Sequence, residues 1–74
     1  MYLAILHYKV PRTEIEPHLA AHRAFLQEGY DNNYFIVSGP QFNLKGGVII
    51  SSLTRRGEFE QLLKKDPFMI HDLA

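Results

Sequence analysis

Three short runs of this chain carry apolar side chains on both of their alternating faces, and nothing else in it constrains the fold as much. In Tyr2 to Lys9 one face is Tyr2, Ala4, Leu6 and Tyr8, and the other is Leu3, Ile5, His7 and Lys9. In Tyr34 to Ser38, Tyr34, Ile36 and Ser38 alternate with Phe35 and Val37. In Val48 to Leu53, Val48 and Ile50 alternate with Ile49 and Leu53. Successive strand residues point to opposite sides of a sheet, so a sheet made of these runs needs cover on both sides.

The segments between the strands supply helices for one of those sides. Thr13-Glu14-Ile15-Glu16 has a hydroxyl at N-cap and a carboxylate three residues on, the capping-box pattern. Pro17 then falls in the first turn, or at N1 if Glu16 is the cap. The helix is expected to run to Gly29, a C-terminal stop, with Asp31, Asn32 and Asn33 forming a polar turn. Gly39-Pro40 closes the second strand, and Gln41 to Gly46 is a loop. Thr54 can cap a second helix over Arg55 to Lys65, with Phe59, Leu62 and Leu63 inward. Asp66-Pro67 ends it, because proline disfavours helix at the preceding residue. Phe68 to Ala74 is a short helical turn or coil.

The order β-α-β-β-α predicts an α+β domain, residues 1–74, with a mainly antiparallel sheet and two helices on one face. One further strand would complete the split β-α-β arrangement of the ferredoxin-like fold. The uncovered apolar face implies a partner, most economically a second copy in a two-fold homodimer packed sheet against sheet. A domain of 74 residues is small enough to need such support, and the chain has no cysteine for disulfides or thiolate metal sites. Eight basic residues balance eight acidic ones, so no net field draws the chain to nucleic acid or anionic lipid. No segment approaches the ~20 apolar residues of a membrane span. Met1 to Val10 lacks the basic start and cleavage site of a signal peptide, which makes the cytoplasm the expected compartment.

One polar residue sits on a stripe that should be apolar. Ile15, Leu19, His22 and Leu26 fall at i, i+4, i+7 and i+11, one side of an α-helix. Imidazole exchanges protons near neutrality, and a carboxylate on one ring nitrogen leaves the other free to act as a base. Asp66, at the end of the second helix, is the candidate partner. The bland alternatives are a helix histidine bonded to a carbonyl and an aspartate that starts a turn before proline. Ser38, at a strand end before Gly39-Pro40, can present a hydroxyl at a pocket mouth; no Gly-x-Ser-x-Gly elbow supports a nucleophile there. His18 and His22 stand at metal-ligand spacing, with His7, His71 or Asp72 as further candidates, but lack the glutamate of His-Glu-x-x-His. No metal and no cofactor is expected, and Gly46-Gly47 is a turn into a strand rather than a phosphate cradle.

Ala21-His22-Arg23-Ala24-Phe25-Leu26, Gly29, Ser38-Gly39-Pro40-Gln41, Gly46-Gly47-Val48-Ile49 and Lys65-Asp66-Pro67-Phe68 together resemble the YciI-like (YCII-related) family. The resemblance spans nearly the whole chain. It implies a dimeric α+β barrel of ferredoxin-like type, a homodimer proposed to act as an enzyme through a histidine and an aspartate that match His22 and Asp66. One family member is a chlorohydroxyhydroquinone dehydrochlorinase; for most, no reaction is established. Relatives usually continue with a last strand beside the first, so the sequence ending at Ala74 is expected to lack that strand. The reading is therefore a His22–Asp66 acid–base pair acting on a small aromatic or carbonyl molecule, as a lyase, isomerase or hydrolase. Ser38, Tyr2, Tyr34, Phe25 and Phe68 are the expected substrate contacts. The alternative is a non-catalytic dimeric domain that binds a small molecule or serves assembly.

Overall fold

The computed structural model describes residues 1–74. Strands β1 (Tyr2–His7), β2 (Phe35–Pro40) and β3 (Gly46–Ser51) form one sheet in the order β1-β3-β2, antiparallel throughout. Helices α1 (Arg12–Ile15) and α2 (Leu19–Asp31) join β1 to β2, and α3 (Arg56–Leu63) and α4 (Pro67–Ile70) follow β3. This is the α+β arrangement expected from the sequence, and the strand order is compatible with a ferredoxin-like fold. No helix is long and apolar enough to cross a membrane.

Directly paired strand residues share a face. Tyr2, Ala4 and Leu6 therefore lie with Phe35, Ser38, Ile49 and Ser51 on the side of the helices. Leu6, Phe35 and Ile49 are buried there with Phe59 of α3. A second small core joins Ile15 of α1, Phe68 of α4 and Leu73. The opposite face carries Leu3, Ile5 and Val37, each about half exposed, with Val48 and Ile50 between them.

Regular alternation through strand two does not hold. The β2–β3 register shifts between Phe35 and Val37, so Ile36 is the extra residue of a β-bulge. An inserted residue reverses the phase of the strand beyond it. Ser38 consequently shares the helix face with Phe35 instead of opposing it. In strand three the pairing ends at Ser51; Ser51 is buried next to Ile49 on the helix face, and Leu53, beyond the strand, packs against the same core.

The helix ends also differ from expectation, each for a local reason. Pro11 is the N-cap of α1 and no side chain of the Thr13–Glu16 box caps it. Pro17 lies inside a 3-10 turn, Glu16–His18, that separates α1 from α2. A proline lacks the amide donor and its ring crowds the carbonyl four residues back, which interrupts the α-helical ladder. Arg55, not Thr54, is the N-cap of α3, without a side-chain cap bond.

Gly29 does not stop α2. The helix passes through it to Asp31, and Asn33 supplies the left-handed residue, φ 60°. Asn33 N–H bonds to Tyr30 O at 3.0 Å and Tyr34 N–H to Gly29 O at 2.8 Å, a Schellman closure. Gly29 is needed for space: a Cβ there would stand 2.1 Å from the Phe35 ring.

Candidate functional site

The site is assembled where α2 crosses the start of α4. Ile15 is fully buried and Leu19, His22 and Leu26 partly so, so the stripe read from the sequence does face inward, with an imidazole in it. Asp66 is the N-cap of α4, its extended backbone (φ −65°, ψ 127°) preceding Pro67 at N1. Its Oδ1 accepts the amide of Phe68 at 3.0 Å, which satisfies one of the unpaired donors of the helix start. The same oxygen lies 2.7 Å from His22 Nδ1. The Asp66 side chain has no solvent exposure and that of His22 is 13% exposed.

An ionised carboxylate can only accept, so Nδ1 carries the proton and Nε2 keeps the lone pair in the neutral ring. The ring is held from its face as well. Phe68 stacks on it with centroids 4.0 Å apart and planes 8° from parallel, and Tyr8 meets Phe68 edge-on at 5.7 Å. Asp66 Oδ2 is buried without a partner. The imidazole is thus fixed in tautomer and plane by a carboxylate it cannot lose to solvent.

His22 forms part of the wall of a cavity of about 360 Å³ between α2 and the sheet, within the size range of small-molecule sites. Leu6, Leu19, Leu26 and Ile49 give it an apolar lining, and Ser38 stands opposite the helix. Ser38 reaches this wall because of the Ile36 bulge, and its Oγ lies 2.6 Å from Tyr30 OH. The structure therefore brings His22, Asp66 and Ser38 into one neighbourhood, two of them at the same cavity.

None of the four aromatics lines this cavity, though Phe68 and Phe25 lie beside the imidazole. Phe68 is buried beneath the imidazole. Tyr2 stacks with Phe59 at 5.9 Å, its hydroxyl 3.4 Å from Thr54 O. Phe25 and Tyr34 line a separate hollow with Leu62 and Pro67. Sequence reasoning passes over Tyr30, although it continues the stripe one turn beyond Leu26; ending the helix at Gly29 removes it from view. Arg12 and Arg23 also line the His22 cavity, and no local pattern signals them. His18 lies against His71, ring centroids 4.3 Å apart, and no group of three or more acidic or imidazole side chains converges in a metal-holding arrangement.

Fold and site together define a small α+β domain with a buried histidine–aspartate pair at the edge of a cavity. The YCII-related domain model matches residues 1–73, essentially the whole chain, and the protein belongs to that family. Searches of curated proteins and of solved structures gave no match.

Proposed function

We propose that this YCII-related protein is a small homodimeric enzyme that performs acid–base chemistry on a small molecule. The carrying observation is the 2.7 Å contact between His22 Nδ1 and the fully buried Asp66 carboxylate, beside a cavity that the imidazole helps to line. In this reading Nε2 of His22 takes or gives the proton. Asp66 holds the tautomer and favours the imidazolium that forms, the role of the carboxylate in hydrolytic triads. Proton transfer of this kind suits elimination, isomerisation or hydrolysis of an aromatic or carbonyl compound. Ser38 contributes a hydrogen bond to substrate from the opposite wall, and Phe68 keeps the ring in plane.

The apolar sheet face of Leu3, Ile5, Val37, Val48 and Ile50 supports a second copy as partner, because contiguous exposed apolar surface marks an interaction site. One observation favours a quieter reading: Asp66 also caps α4, so the pair can serve folding in a non-catalytic binding domain. A thermal-shift screen of small aromatic acids and lactones identifies binders by mass action, and turnover of those binders separates the two readings. His22→Gln is expected to lower turnover about 10²- to 10⁴-fold with an unchanged circular dichroism spectrum. Undiminished turnover in that variant refutes the acid–base assignment.

A further inference from the structure

We infer that the His22 cavity takes a small organic anion, an apolar body carrying one carboxylate, and that Arg23 is the residue that receives the carboxylate. This rests on the same cavity as the proposed function and adds the class of its ligand.

Charge distribution carries the inference. The chain has eight basic and eight acidic residues, yet the cavity wall holds Arg12 and Arg23 and not one aspartate or glutamate. Three of the four arginines have a carboxylate within 4 Å: Arg12 with Glu16, Arg55 with Glu58 and Arg56 with Glu60. Arg23 alone has neither an ion pair nor a side-chain hydrogen bond, although it follows His22 directly on α2. A guanidinium offers a planar fork of donors that matches a carboxylate in two parallel bonds. Arg23 is exposed, its guanidinium is unspent, and the residue belongs to the cavity wall.

The rest of the wall fits the other end of such a ligand. Leu6 and Ile49 are buried core residues reached from inside the cavity, with Leu19 and Leu26 beside them. An inorganic anion would gain nothing from these side chains, whereas an aromatic or branched body would lose its hydration there. A carboxylate at Arg23 would hold the body of the molecule against the sheet, within the neighbourhood of His22 and Ser38. Arg12, with an exposed Nε contact to Glu16 at 3.6 Å, adds positive potential to the same wall.

Calorimetry with benzoate and its neutral isostere benzamide tests this, at constant ionic strength and with inorganic phosphate as a third probe. The wild-type protein is expected to prefer benzoate to benzamide by about tenfold, the scale of one charge-assisted contact at a partly wet site, and to bind phosphate more weakly than benzoate. Arg23→Gln should erase the preference, and Arg23→Lys should restore part of it. Because Arg23 is exposed, both variants should melt with the wild type. Equal binding of the two aromatics, binding of neither, phosphate binding as tight as benzoate, or a preference that survives Arg23→Gln each overturns the inference. His22→Gln separates it from the acid–base reading: a variant that keeps the benzoate preference shows an anion site independent of the imidazole. Should turnover be absent from every variant and from the wild type, the acid–base reading falls and the anion site stands.

Discussion

Asp66 does two jobs with one oxygen, and that makes it the residue on which fold and site depend together. Oδ1 accepts from the Phe68 amide that opens α4 and from the imidazole of α2. Removing it leaves a helix start uncapped and a largely buried ring N–H without an acceptor. Asp66→Ala is therefore expected to lower unfolding free energy by about 2–3 kcal/mol in urea titration. Asp66→Asn keeps a carbonyl acceptor at the same place and should lose clearly less; equal losses in the two variants would show that the hydrogen bonds are not the cause. The identity of both residues was legible from the chain, because a histidine on an apolar stripe is conspicuous. Their pairing could be expected only as a candidate contact, since 44 positions separate them and the crossing of α2 with the start of α4 is set by packing.

At the scale of elements, prolines and glycines decide more than helix propensity does. Pro17 divides what reads as one helix into α1 and α2, and Asn33 rather than Gly29 closes the second of these. Gly29 and Phe35 show why the sequence misled: the glycine answers a ring on the neighbouring strand, a demand invisible to local reasoning. Gly29→Ala should thus destabilise by about 1–3 kcal/mol as an overpacked site, measured by thermal or urea melting. A neutral or stabilising alanine, the usual outcome at a helix glycine free of contacts, would mean that Phe35 moves aside without cost. The Ile36 bulge belongs here too. By shifting the phase of β2 it turns Ser38 toward α2 and Tyr30, and simple alternation along the strand could not anticipate it.

For the whole molecule the feature that bears on assembly is the second face of the sheet. Helices cover one side, and the other presents Leu3 at 57%, Ile5 at 55% and Val37 at 48% exposure, paired across the strands with Ile50 and Val48. These side chains are contiguous, which isolated surface leucines are not. If a second copy covers them, Ile5→Asp should give a monomer at concentrations where the wild type sediments as a dimer, because a buried unpaired carboxylate costs several kcal/mol. Identical sedimentation of both proteins, as monomer or as dimer, would remove this face as the interface. Of the five residues of this apolar face only Val48 also lines the cavity beside His22, so Ile5→Asp alters the face without touching the cavity wall.

The sequence by itself determined the element order, the antiparallel α+β class, the inward stripe of Ile15, Leu19, His22 and Leu26, and the choice of His22 and Asp66. Those follow from periodicity and turn chemistry, which act over a few residues. Tertiary structure alone decided that Asp66 meets His22, that Phe68 lies under the ring, that Ser38 rather than the aromatics shares the cavity, and that Arg23 stands at its wall unpaired. Each of these depends on where separate elements cross, and crossing is set by packing of the whole core, by one bulged residue in β2 and by a proline in the helical segment. Short-range pattern names the groups that can do chemistry; only the packed chain brings them within reach of one another.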